Sequence, residues 1–267
     1  MEIRRLSAIV LRQFFLIRGS ASRVLPMFVW VAIDIVLWGF ITKYLTSIAG
    51  GGFHLVPALL GAVLLWDFLT RVMQGVTMAF FEDVWSRNFL NVFASPISVP
   101  EYLGGLIVSS ICTSSVGLIV MVVVATLAFG LSFFVYGVML VPFLIVLFLS
   151  GIALGIFGTA IVLRLGPAAE WFVWPIPAVL SPFVGVFYPL STLPLWMRAI
   201  SRILPPSYVF EGMRAVVAGR SVPAGTLAAG FGLAVLAIIL ACWFFLRVFR
   251  YAVSTGLIAR YSAETVS

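Results

Sequence analysis

Residues 24–45, 55–79, 103–129, 135–163, 171–188 and 224–247 form six apolar stretches. Each approaches or exceeds the about 20 residues that a helix needs to cross a bilayer. A soluble domain has no way to hide so much apolar surface. Of 267 residues, 63% are hydrophobic and 9% charged, against about 45–50% and 25% in soluble domains. The expected fold is an all-α integral membrane protein with six transmembrane helices, the whole of residues 1–267 acting as one domain.

The net charge of +7 would suit a nucleic-acid binder if the cations formed a stripe outside the spans. They do not. Arg4, Arg5, Arg12, Arg18 and Arg23 crowd one end, and Arg247, Arg250 and Arg260 the other. That is the flank pattern of cytoplasmic segments, so both termini are expected in the cytoplasm, and an even number of spans agrees. With this topology Arg87 and Arg164 also lie inside. Residues 1–23 place Ile3, Leu6, Val10, Phe14 and Ile17 at helical spacing and are expected to form an amphipathic helix at the inner interface. Arg12 and Arg18 interrupt any signal-peptide core.

Lys43, Arg198, Arg202, Arg214 and Arg220 then fall outside, four of them between spans five and six. A seventh span would move them, but residues 183–206 carry Pro189, Pro194, Pro205 and Pro206, and residues 207–220 carry Glu211 and two arginines. Neither piece suits a lipid-exposed helix. The expectation is an outer segment over 189–222 with two short re-entrant helices, near 193–203 and 206–218. On the second, Glu211 and Arg214 stand three apart and can pair.

Three ionisable residues fall within spans: Asp34 in the first, Asp67 and Arg71 in the second. Each costs about 2.5–3.5 kcal/mol at mid-helix, while each Leu, Ile, Val or Phe returns only about 0.3–0.6. Asp67 and Arg71, four apart, can pair on one face. Such a pair is either a structural lock between helices or part of a solute path. Asp34 has no partner on its own helix and is expected at a cavity or an interface. Gly151, Gly155 and Gly158 permit close helix approach in span four.

Residues 80–102, FFEDVWSRNFLNVFASPISVPEY, are expected as a cytoplasmic loop, amphipathic and aromatic without being apolar enough to enter lipid. Glu82, Asp83 and Arg87 offer polar contacts and Trp85, Phe89 and Phe93 anchors, a composition suited either to a helix docking in a partner's groove or to an interfacial helix resting on headgroups. Pro100 and Glu101 suit the first turn of span three.

Common catalytic motifs are missing. Lys43, the only lysine, lies in FITKY without the glycine loop or Ser/Thr of a phosphate-binding loop. There is no GxSxG and no HExxH, and His54 is the only histidine. Cys112 and Cys242 sit singly in apolar runs, so no metal or disulfide is expected.

The chain resembles the membrane (permease) subunit of type-2 ATP-binding cassette exporters. The resemblance rests on the amphipathic N-terminus, the six spans, the phrase FASPISVPEYL between spans two and three, and VGVFYPLSTLPLWMRAISRILPPSYVFEGMRAV before span six. It implies a homodimer, or a pair of close homologues, seated on two copies of a separate ATPase chain that holds ATP and Mg, in the plasma (bacterial inner) membrane, with no cofactor on this chain and no nucleic acid. It further implies that Glu82, Asp83, Trp85, Arg87, Phe89 and Phe93 belong to a coupling helix in the ATPase's cleft, and that Glu211 and Arg214 roof the translocation path. Relatives move drugs, lipids, lipid-linked glycans and polysaccharides. Small outer loops and apolar spans favour a hydrophobic or amphiphilic solute. Polysaccharide export is the alternative, and an ion-coupled secondary transporter using Asp34 and Asp67 is a competing class.

Overall fold

The computed structural model describes residues 3–19, 21–48, 56–86 and 89–257, and among these residues every regular element is helical. Arg87, Asn88, His54 and Arg260 lie outside them, as do the side chains of Arg23 and Trp30. The chain runs through α1 (Ile3–Arg18), α2 (Ala21–Ile48), α3 (Gly61–Trp85), α4 (Phe89–Ala94), α5 (Val99–Phe129) and α6 (Leu140–Leu165). Then come α7 (Glu170–Val173), α8 (Ile176–Val184), α9 (Leu195–Ser201), α10 (Pro205–Val217) and α11 (Ala224–Ser254).

Among the described residues four stretches are long and apolar enough to cross a membrane: Ala58–Trp85, Val99–Phe129, Phe133–Leu165 and Ala224–Ser254. They contain the expected third, fourth and sixth spans and residues 58–79 of the expected second. The first expected span falls within α2, whose 28 residues extend about 42 Å.

The fifth expected span, 171–188, is not one helix. Pro175 and Pro177 have no N–H to bond back to Trp171 and Val173, so the ladder fails there and a turn at 174–175 separates α7 from α8. α8 has nine residues, about 14 Å, and stops at Gly185, whose φ of 67° is left-handed. This is about half the hydrocarbon thickness. The two short helices expected after it are present as α9 and α10.

α6 is the central element, packed chiefly on α11 and α3, while α3 also carries α5. Glycines set the α3–α6 spacing. A Cβ on Gly151 would lie 2.7 Å from Val72 Cβ, and one on Gly155 would lie 2.7 Å from Val76 Cβ. Gly158 instead faces Val173 of α7, at 2.7 Å from its Cγ1. On the other side of α3, Ser110 of α5 donates to the Val72 carbonyl at 2.8 Å. That bond satisfies a hydroxyl that would otherwise be costly between two apolar helices.

α5 begins with a reciprocal cap. The Glu101 carboxylate accepts from the Ser98 amide at 2.9 Å and from its hydroxyl at 2.8 Å, with Pro100 in the first turn.

Candidate functional site

Polar chemistry gathers in three places. The first is the end of the bundle where α3 finishes and α5 starts. α3 runs on past residue 79 to Trp85, so Glu82, Asp83 and Trp85 belong to a helix rather than to the loop expected from the sequence.

Asp83 is fully buried, and its two oxygens are taken by different elements. Arg12 of α1 donates to Oδ1, and the Tyr102 hydroxyl of α5 donates to Oδ2 at 2.8 Å. Gln13 adds a bond to the Ala79 carbonyl at 3.2 Å, and Arg5 lies 3.7 Å from Glu101. Burial lowers the Arg12 pKa from its ordinary value, opposed by the charges around it, including Glu82. The guanidinium stays protonated at neutral pH because arginine starts so high. α1 is thus fixed across the ends of α3 and α5 by an ion pair that a fully buried carboxylate requires.

Phe89 is also buried, its ring centroid 5.5 Å from Phe80 and 5.0 Å from Phe93. Phe93, half-buried, packs on Tyr102 at 5.1 Å and on Phe249 of α11 at 4.8 Å. Asp83 and Phe89, expected as partner contacts, therefore point inward: Asp83 finds its polar partners on α1 and α5, and Phe89 its aromatic partners on α3, α4 and α5. Glu82 is half-buried. Trp85, 48% exposed, donates to Glu170 at 3.0 Å and so joins the end of α3 to α7. The remaining exposed positions of this end include Asn91, Ala94, Pro96 and Ser98. Arg12, Tyr102 and Glu170 had no assigned role in the sequence. The available signal was Arg12–Gln13, two polar residues side by side between the apolar runs 8–11 and 14–17 of α1.

The second cluster is the segment between α8 and α10. Glu211 Oε1 accepts from the Leu190 amide at 2.8 Å and from Arg214 at 2.9 Å, and Arg214 also donates to the Gly185 carbonyl at 2.7 Å. One acid and one base on α10 thereby hold the turn that ends α8. Arg198 donates to the carbonyls of Ser191 (2.8 Å) and Leu193 (3.0 Å). Ser201 donates to the Phe183 carbonyl, and Ser207 to that of Ser201 at 2.6 Å. The loop is therefore a folded unit whose backbone is satisfied by its own side chains. Trp38 of α2 stacks on Phe187 of this turn at 5.0 Å.

The third cluster lies within the helices. Arg71 donates to Asp67 at 2.8 Å, both side chains being less than one-fifth exposed. Arg71 also crosses toward α5, its Cδ 3.2 Å from where a Cβ on Gly117 would sit. Asp34 of α2 is near enough to Arg71 and Asp67 to interact electrostatically with both. The sequence offered Asp34 no partner on its own helix, and the fold supplies them from α3.

Cys112 is exposed and Cys242 half-buried, both free thiols. Among the described residues no three His, Cys, Asp or Glu side chains come together as a metal site.

No curated protein matches this sequence. The model of the membrane domain of ABC-2 type transporters matches residues 6–218, most of the chain, including Arg12, Asp34, Asp67, Arg71, Asp83, Glu211 and Arg214. The long apolar helices make it an integral membrane protein, and the family's membrane domain is a permease subunit that pairs with an ATPase and is not itself catalytic. The chain belongs to the ABC-2 type transporter family.

Proposed function

We propose that this chain is the membrane subunit of an exporter that moves a hydrophobic or amphiphilic solute out of the cytoplasm by alternating access. Two copies pair in the plasma membrane with both termini cytoplasmic, and each rests on a separate ATPase chain that holds ATP and Mg. Residues 1–267 work as one transmembrane domain of six spans, α7 and α8 forming a broken fifth.

The observation that supports this reading best is the clasp at Asp83. A surface that receives the stroke of another protein has to pass force to the spans without yielding. Here α1, α3 and α5 meet on one buried carboxylate, and α4 is anchored on the same end by Phe89 and Phe93. The coupling contact then falls to the exposed rim, Trp85 with Asn91, Ala94, Pro96 and Ser98, and Arg87 lies between them in sequence. Glu82, Asp83, Phe89 and Phe93 hold that rim in place. ATP can shift the two states only through its different affinity for them, so stiffness at the contact sets how much of that difference arrives.

At the opposite end, Glu211 and Arg214 keep the 185–190 turn closed over the bundle as an outer lid. Asp34, Asp67 and Arg71 stand between α2, α3 and α5, where a path for solute would pass.

The test is reconstitution with the cognate ATPase and a fluorescent amphiphile in vesicles. ATP-dependent extrusion that disappears with Glu211→Ala, while the ATPase still copurifies, supports the assignment. Extrusion driven by a proton gradient without ATP refutes it.

A further inference from the structure

We propose that the outward arc of α1 is a binding surface for anionic phospholipid headgroups. α1 has four arginines and no acid, and the fold divides them in two. Arg12 is used by Asp83, and Arg5 lies beside Glu101. Arg4 and Arg18 point the other way and are exposed, with no ion pair among the described residues. Between them on the same arc are Leu11 (54% exposed), Phe14 (54%) and Phe15 (61%). At 100° per residue these five positions fall within about one-third of the helical wheel.

This arc differs from the apolar face expected from spacing alone. Leu6 and Val10 of that face are half-buried, and the side turned fully toward the protein is the one carrying Ile9, Arg12 and Gln13. The reason is the acid on α3: a buried Asp83 draws arginine inward, which rotates the remaining apolar residues out.

The position of the arc selects its occupant. Ile9 sits against Gly105, 2.5 Å from where its Cβ would be, so α1 lies along the first turns of a membrane-spanning helix. Three large apolar side chains at that depth reach the boundary between acyl chains and headgroups. Arg4 and Arg18, 14 residues apart in sequence and thus about 21 Å along the axis, extend from the two ends of the apolar patch, where a cation meets phosphate. With no acid on the arc, anionic lipid is the complementary surface. Each arginine near such a surface strengthens binding about fivefold.

The inference rests on reading the α1 end as facing the cytoplasmic leaflet, but its test does not depend on transport. The full chain is placed in nanodiscs of phosphatidylcholine, or of phosphatidylcholine with roughly one-third phosphatidylglycerol, and amide exchange is followed over residues 3–19. Exchange should slow several-fold with phosphatidylglycerol. The slowing should vanish in Arg4→Gln/Arg18→Gln, persist in Arg4→Lys/Arg18→Lys, and weaken at high salt. Phe14→Ser/Phe15→Ser should lose protection in both discs. Equal exchange in the two discs, or a lipid effect unchanged by the glutamines, overturns the proposal. So does protection that appears only when the ATPase is added, which would make the arc a protein contact. If ATP-driven export fails but the lipid effect stands, the functional reading falls and this one survives.

Discussion

Arg12 and Asp83 are 71 residues apart in sequence and form an ion pair in which the carboxylate is wholly buried. Tyr102 takes the second oxygen of Asp83, so three helices depend on one side chain. Removing one partner of such a pair costs about 3–5 kcal/mol, because the other charge is left without compensation. Asp83→Ala and Arg12→Ala should each lower the thermal midpoint of the purified chain by several degrees. Replacing both with apolar residues, Arg12→Met/Asp83→Leu, should cost much less than the sum. Additive losses would mean that the two residues do not act together.

Gly155 faces Val76 Cβ at 2.7 Å and the Met73 carbonyl at 3.0 Å, so a methyl has to displace backbone as well as side chain. Overpacking of this kind costs about 1–3 kcal/mol. Gly155→Ala should therefore destabilise the chain. Gly232→Ala in α11, which meets nothing within 4 Å, should be neutral or slightly stabilising. Equal thermal midpoints for the two variants would contradict the close α3–α6 contact.

Glu211 supports the Leu190 amide and Arg214 at once. Losing a charged hydrogen bond of this kind costs about 1.5–3 kcal/mol, here spent on the turn rather than on the whole bundle. Glu211→Ala should reduce ATP-driven transport while thermal stability changes little, and Arg214→Lys should do likewise because a single ammonium does not reproduce the fork that Arg214 spreads between the Gly185 carbonyl and Glu211. Normal transport in both would remove the lid from the account.

Asp67 and Arg71 distinguish a lock from a path. As a lock, Arg71→Met should lower stability more than Asp67→Asn/Arg71→Met, which leaves no unpaired member of the pair. As part of a path, both variants should change transport or solute preference with little effect on melting. The comparison of melting curves with transport rates in one vesicle preparation decides between them.

How much of the fold and the site is legible in the sequence depends on how local the cause is. The apolar runs at 103–129 and 224–247 form continuous helices because no proline interrupts their hydrogen-bond ladders, whereas in 135–163 the α-helix begins only at Leu140, after Gly137 turns the backbone to a φ of 53°. The pairs Asp67–Arg71 and Glu211–Arg214 are visible from their spacing, since partners three or four apart share a helix face. The break at Pro175 is masked by composition: 171–188 is apolar enough to span, but two missing amide donors end the ladder. The inward turn of Asp83 and Phe89 is not visible at all. Their partners Arg12 and Tyr102 come from other elements, and an acid inside a helix looks exposed until a distant arginine is brought to it. The same distant pairing decides which face of α1 is turned outward.

If the end of the bundle bearing Trp85 and α4 receives the ATPase, a reporter on its exposed rim has to sense that partner. Ala94 is exposed there, and the two natural cysteines can be replaced by serine to give a silent background. In that background Ala94→Cys should crosslink to the partner ATPase in assembled complexes, with a yield that changes when ATP is added, and should react with impermeant maleimide only from the cytoplasmic side. Labelling of position 94 from outside intact cells, with no crosslink to the ATPase, would contradict the account.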